Sequence, residues 1–117
     1  MFALNFYSPV VEPQLRAHRK TATIRLGDKS RKYQKGQIVS VLVGARFGPR
    51  QKIFDAVIDK VEVKRLGELS PREIEHDNPE IRRPEEMAHF LGQLYNREVS
   101  DDDTVTVIRF SAIKGNA

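Results

Sequence analysis

Five segments of the chain carry the alternation of apolar and polar residues that is typical of β-strands with one buried face. In the clearest of them, which reads TATIRL, the apolar residues Ala22, Ile24 and Leu26 alternate with polar ones, so two different faces are expected. The segments at 27–37 and 44–52 are predicted as basic loops. The predicted strands are residues 2–7, 21–26, 38–43, 53–63 and 104–110.

Helical spacing of apolar residues occurs in three other segments. Residues 9–18 predict a short helix that begins near Glu12, because a proline disfavours the helix interior. Residues 70–77 open with Ser70, a proline and then a glutamate three residues after the serine, which is the signature of a capping box. Residues 84–95 have acids in the first turn and an apolar stripe, and they predict an amphipathic helix.

The order of these elements predicts one α+β domain over residues 1–117, built on a small mixed or closed sheet of about five strands with two or three short helices. The 117 residues are 39% hydrophobic and 31% charged, which is typical of a soluble domain. The absence of cysteine excludes disulfides and thiolate chemistry. No signal-peptide pattern and no apolar run of roughly 18 residues is found, so a cytoplasmic protein without membrane contact is expected.

Charge is distributed unevenly along the chain. Residues 16–52 contain eleven Lys/Arg and one acid, a net charge of +10, whereas residues 53–117 contain nine Lys/Arg and fourteen acids, a net charge of −5. A concentrated basic half is expected of a protein that binds phosphates, although a solvated face gives the same composition. The pattern leaves both interpretations open.

The motif Arg-Lys-Thr-Ala-Thr-Ile-Arg at residues 19–25 lies between the first predicted helix and the second predicted strand. A polar basic loop and a Gly-Gln-Ile-Val-Ser-Val strand follow it. This order resembles the ASCH domain family over roughly residues 4–112. The resemblance implies a PUA-like fold, a small β-barrel with helices packed on it, and a role in RNA binding connected with RNA metabolism or translation.

Some members of that family are N(4)-acetylcytidine amidohydrolases, whose motif is similar. The resemblance implies a catalytic set of Lys20, Thr23 and a carboxylate on the later helix. Aligned without gaps, that carboxylate is Asp77, where the enzymes have glutamate, and Glu73 or Glu75 are alternatives. Lys20 and Thr23 are an odd number of residues apart, so they converge only if the strand begins after Lys20.

Other side chains are expected to contact RNA or a modified nucleoside. The aromatic residues Tyr33 and Phe47 lie among cations in the two basic loops, as in surfaces that stack on bases and contact phosphates. Either ring could instead pack in the core. No cofactor or metal is expected, because the histidines occur singly. The hypotheses are RNA binding, amidohydrolysis, and non-catalytic binding of a small ligand or partner. The predicted binding residues are Arg19, Thr21, Arg25, Tyr33, Arg46 and Phe47.

Overall fold

The alternating segments assemble into one mixed sheet. The computed structural model describes residues 2–45 and 47–114. In these residues the sheet order is β1-β3-β4-β5-β2, with β1 and β3 parallel and all other neighbours antiparallel. The first two strands of the chain are therefore the two edges of the sheet. The strands are β1 (Phe2–Phe6), β2 (Ala22–Leu26), β3 (Ile38–Gly44), β4 (Arg50–Arg65) and β5 (Thr104–Ala112).

The helices form at the three predicted segments. The first begins at Glu12 as expected but ends two residues early, because His18 takes a left-handed backbone conformation with φ 57°. The capping box is present: the Glu73 N–H donates to Ser70 Oγ at 3.2 Å, and the Ser70 N–H donates to Glu73 Oε1 at 2.9 Å. The α-helices are α1 (Glu12–Arg16), α2 (Pro71–Asp77) and α3 (Pro84–Tyr95), with short 3₁₀ turns at Pro9–Val11 and Leu66–Glu68. Among the described helices, none is long and apolar enough to pass through a bilayer.

The two faces of the sheet carry separate apolar clusters. On β5, Val105 and Val107 belong to the cluster under α2 and α3, while Ile108 and Phe110 belong to the other. We call the second one the inner cluster. It is built mainly from alternate residues of β1, β3 and β4, with Leu15 of α1 added. Alternation along each strand therefore produces both faces, as the sequence pattern predicts.

The long strand β4 curves the sheet. Its first half pairs with β3 and its second half with β5, and its register with β5 shifts between Ile58 and Lys60. A bulge of this kind increases the twist of a strand. The result is a five-stranded mixed half-barrel with helices, which confirms the predicted α+β class.

Candidate functional site

Lys20 lies in the turn that joins α1 to β2. The N–H groups of Arg19 and Lys20 both donate to the Gln14 carbonyl oxygen, at 2.9 and 3.2 Å. This turn places Lys20 before β2 begins. The geometric condition for Lys20 and Thr23 to lie on one side of the sheet is therefore met.

Lys20 forms a buried ion pair with Asp77, the last residue of α2. Its Nζ donates to Asp77 Oδ1 at 2.9 Å and to the Asp77 carbonyl oxygen at 2.6 Å. The same Oδ1 accepts the Ile24 N–H at 2.8 Å. Lys20 and Asp77 are each 4% exposed, so water provides little solvation for either charge. Asp77 thus ties the end of α2 to both the turn and β2.

The pKa of Lys20 is lowered from its ordinary value. Burial of the ammonium is the largest cause, and the nearby Arg25 charge acts in the same direction. The Asp77 carboxylate opposes both effects through its charge and its hydrogen bond. Desolvation prevails, so Lys20 gives up its proton more readily than an exposed lysine does.

Thr23 is buried on the same side of β2 as Arg25, which contradicts an exposed position on the strand. Arg25 Nε donates to Thr23 Oγ1 at 3.0 Å, and Arg25 Nη2 donates to the Asn5 carbonyl oxygen at 2.8 Å. The ring of Phe6 lies beneath both cations, 5.3 Å from Lys20 Nζ and 5.0 Å from the Arg25 guanidinium carbon. Among the described hydrogen bonds, Lys20 and Thr23 have separate partners.

The contact from Arg25 to Asn5 crosses the gap between the two edge strands. We call this region the β1–β2 seam. Arg50, from β4, also reaches it, and its Nη1 donates to Asn5 Oδ1 at 2.9 Å. The Arg50 guanidinium lies 5.7 Å from the centre of the Tyr7 ring, and Tyr7 is 42% exposed. Two arginines from distant parts of the chain thus meet at one asparagine.

Sequence reasoning missed Asn5, Tyr7 and Arg50 as site residues. An asparagine inside the apolar run Phe-Ala-Leu-Asn-Phe-Tyr is the signal that was available, since a polar residue at a half-buried strand position needs a partner. The identity of that partner depends on the sheet order, which alternation does not reveal.

The remaining predicted binding residues are scattered. Arg19 is exposed, and Thr21 is half-buried, with its backbone bonded to His76 and Phe110. Phe47 is 96% exposed in the loop before β4. Arg46 lies outside the described residues.

Tyr33 is not available for stacking in this structure. Its ring is 2% exposed and belongs to the inner cluster, and its hydroxyl donates to the Ala3 carbonyl oxygen at 3.1 Å. Burial with a satisfied hydroxyl is the core arrangement usual for tyrosine. Tyr33 therefore anchors the basic loop to β1.

The structure distinguishes the three candidate carboxylates. Glu73 caps α2 and accepts both hydrogen bonds of Lys64 Nζ, at 3.1 and 2.9 Å. Glu75 is exposed. Asp77 alone of the three forms an ion pair with Lys20.

Three surface concavities lie away from this ion pair. Volumes of about 470, 450 and 360 Å³ occur beside the end of α3 and around the loop at residues 27–37. Lys20, Thr23 and Asp77 line none of these three. All three residues are 4% exposed, so a substrate reaches them only if neighbouring side chains move.

Three solved structures share the fold of this chain. Protein EF3133 from Enterococcus faecalis V583, described as DUF984, has a TM-score of 0.69 at 18% identity, covering 97% of this chain and 82% of its own. An ASCH domain from Lactobacillus crispatus JV V101 has a TM-score of 0.63 at 16% identity, covering 88% and 70%. The hypothetical protein PH0355 has a TM-score of 0.65 at 20% identity, covering 94% and 100%.

These similarities confirm the resemblance to the ASCH domain at the level of fold. The sequence matches no protein-family model and no curated protein. At identities of 20% or less, activity does not follow from shared architecture. Function has to be argued from the site.

Proposed function

We propose that this protein is an ASCH-like module that binds single-stranded RNA at the β1–β2 seam and acts in RNA metabolism or translation. One observation carries the proposal: two guanidinium groups from different strands converge on Asn5 beside the exposed ring of Tyr7. Guanidinium groups bind phosphates with paired hydrogen bonds, and aromatic rings stack on unpaired bases. The seam presents both groups together.

Arg25 retains binding capacity in this arrangement. Its two hydrogen bonds use Nε and Nη2, whereas a guanidinium has five N–H donors. It forms no ion pair with a carboxylate among the described residues. The positive charge of Arg25 is therefore available to a phosphate, in a region of the chain whose net charge is +10.

The aromatic residues of the seam favour a single strand over a duplex. Tyr7 follows an edge strand, and its side chain is 42% exposed, so a base that is not stacked on its neighbours can approach it. A duplex keeps its bases stacked and offers mainly its backbone and groove shape.

Fluorescence anisotropy with a 5′-labelled 12-nucleotide RNA of random sequence tests the proposal. Tyr7→Leu removes one stacking surface and should weaken binding by about 1–3 kcal/mol, roughly 5- to 150-fold in Kd. Arg50→Gln should reduce the salt slope of log K by about 0.7, the value for one phosphate contact on a single strand. Arg82→Gln, an exposed arginine on the helical side, is the matched control and should leave Tyr7-dependent binding intact.

Absence of measurable RNA binding at 50 mM salt contradicts the proposal. Equal losses of RNA affinity in Arg50→Gln and Arg82→Gln also contradict it, because they indicate nonspecific electrostatic attraction between the protein and RNA. A protein that fails this assay and also leaves the acetylated nucleoside uncleaved fits the third hypothesis, a non-catalytic module for another ligand or partner.

A second candidate function is hydrolysis of N(4)-acetylcytidine. The observation that favours it is the buried contact between Lys20 and Asp77, two of the three residues that the amidohydrolase resemblance implies. The lowered pKa of Lys20 suits a general base, since a neutral amine is needed to take a proton. Arg25 Nε, bonded to Thr23 Oγ1, would stabilise negative charge on that oxygen.

In this second proposal Thr23 Oγ attacks the acetyl carbonyl carbon while Lys20 takes the hydroxyl proton. The C–N bond then breaks, and cytidine leaves with a proton on its amino nitrogen. Water hydrolyses the acetyl-threonine ester and releases acetate. Asp77 holds Lys20 in place and acts as the acid–base carboxylate for the water.

Incubation with N(4)-acetylcytidine, followed by chromatography for cytidine, tests this activity. Thr23→Val should abolish product formation, because it removes the nucleophilic oxygen and keeps the branched shape. Thr104→Val, the same substitution at an exposed position at the start of β5, is the control. Turnover that persists in Thr23→Val contradicts the assigned nucleophile.

A further inference from the structure

The basic loop at residues 27–37 is held firmly against the sheet. The Thr106 hydroxyl donates to the Gly27 carbonyl oxygen at 2.7 Å. The Lys29 N–H in turn donates to Thr106 Oγ1 at 2.8 Å. At its other end the Gly36 N–H donates to the Ile58 carbonyl at 2.7 Å. These hydrogen bonds fix where the backbone of the loop lies on the sheet.

Three cations of this loop, Arg31, Lys32 and Lys35, are exposed. None of the three is within ion-pair distance of a carboxylate among residues 2–45 and 47–114. The nearest acid in sequence, Asp28, accepts two hydrogen bonds from Ser30. By contrast, several cations of the C-terminal half are paired. Those cations are Lys60, Lys64, Arg65, Arg83 and Arg97.

The three loop cations line a concavity beside an exposed aromatic residue. Its volume is about 360 Å³, within the usual size range of ligand sites. The ring of Phe2 at its rim is 56% exposed. A base can stack on this ring while the cations contact the adjoining phosphates. The lining residues are Phe2, Arg31, Lys32, Gln34, Lys35 and Gln37.

Strand β1 connects this concavity to the seam. Tyr33 of the loop donates to the Ala3 carbonyl, and Arg25 of the seam donates to the Asn5 carbonyl. Residues two apart on a strand point the same way, so both contacts lie on one edge of β1. From Phe2 to Asn5 the strand rises by about 10 Å, at roughly 3.3 Å per residue. A short oligonucleotide spans that distance and a nucleoside does not.

We propose that single-stranded RNA runs parallel to β1, over the basic loop and the Arg25 side chain that cover its edge, with one part in the seam and the next part in the concavity, where Arg31, Lys32 and Lys35 hold its phosphates. This inference rests on the proposed RNA binding and adds the path of the strand. Binding is then length-dependent, because only an RNA longer than one or two nucleotides contacts both ends of β1.

The test compares Arg31→Gln/Lys32→Gln/Lys35→Gln with a control of equal charge change, Arg72→Gln/Arg82→Gln/Lys114→Gln, whose side chains are also exposed. Labelled oligouridylates of 2 and 12 nucleotides are titrated by anisotropy at 50 and 200 mM salt. Loss of three phosphate contacts lowers the slope of log K against log salt by about 2. Between 50 and 200 mM salt, the affinity of the wild type for the 12-mer should therefore fall by about 20-fold more than that of the loop variant. Dinucleotide affinity should stay unchanged in both variants.

A loop variant that binds the 12-mer like the wild type overturns the path along β1, as does an equal loss in the control variant. If the wild type binds the 12-mer and Tyr7→Leu weakens it while the loop variant does not, RNA binding at the seam stands and only the path is wrong. If the wild type binds neither oligonucleotide, both proposals fail.

Discussion

The buried ion pair between Lys20 and Asp77 makes a sharp stability prediction. Lys20→Met keeps the length of the side chain and removes the charge, which leaves Asp77 buried at 4% exposure with the Ile24 N–H as its remaining donor in the site. Removing one partner of a buried pair costs about 3–5 kcal/mol. For a chain of 117 residues the unfolding entropy is about 0.25 kcal/mol per K near 60 °C, so Tm should fall by roughly 12–20 °C.

Differential scanning calorimetry measures this shift, and Lys60→Met is the matched control. Lys60 forms a pair of similar length, 2.6 Å to Glu62, but its side chain is 59% exposed, and solvent screens such pairs. The control should shift Tm by a few degrees at most. The double variant Lys20→Met/Asp77→Asn should recover part of the loss, because neither charge is then left alone. A Tm change in Lys20→Met no larger than that in the control would refute the reasoning.

Three further predictions concern pH, coupling and packing. Because the pKa of Lys20 is lowered on folding, the unfolded chain binds more protons between that pKa and the ordinary value of 10.5, so stability should rise with pH in this window. Urea titrations from pH 7 to 10 should show this rise in the wild type and its absence in Lys20→Met. Thr23→Val should weaken RNA binding by about 1 kcal/mol, roughly 5-fold in Kd by anisotropy, because its hydroxyl accepts the Arg25 Nε–H at 3.0 Å and so orients that guanidinium at the seam. Gly44→Ala should lower the free energy of unfolding by about 1–3 kcal/mol in urea titrations. A Cβ at this position meets the Pro49 carbonyl oxygen and lies 2.8 Å from Arg50 Cα.

The elements were predictable because each has a local cause. Alternation places one face of β2 under the helices, and the serine cap at Ser70 starts α2 at the next residue. The strand predicted at 53–63 is longer in the structure because the irregularity after Ile58 lets two pairing partners share it. The periodicity of apolar residues indicates which face of an element is buried, but it does not indicate which strands become neighbours in the sheet.

The β1–β2 seam could not be predicted without the order of the strands in the sheet. Asn5 and Arg50 are 45 positions apart in the chain, and they meet because β1 pairs in parallel with β3, which in turn pairs with β4. Tyr33 illustrates the same difficulty, since a tyrosine among cations has the same local sequence whether its ring stacks on a base or packs inside. In the structure the Tyr33 ring is buried, and its hydroxyl donates to the Ala3 carbonyl oxygen, thirty positions earlier in the chain.

The two candidate functions make opposite demands on Arg25. RNA that follows the edge of β1 uses the outer donors of this guanidinium and leaves its bond to the Asn5 carbonyl in place. Hydrolysis requires substrate to reach Lys20 and Thr23, both 4% exposed, so the bond across the seam has to break. Arg25→Lys keeps the charge but loses the paired geometry and the donor to Thr23 Oγ1, so it should weaken RNA binding and lower any hydrolytic rate. Hydrolysis that stays unchanged in this variant while RNA affinity falls would contradict the part assigned to Arg25 in the hydrolytic site.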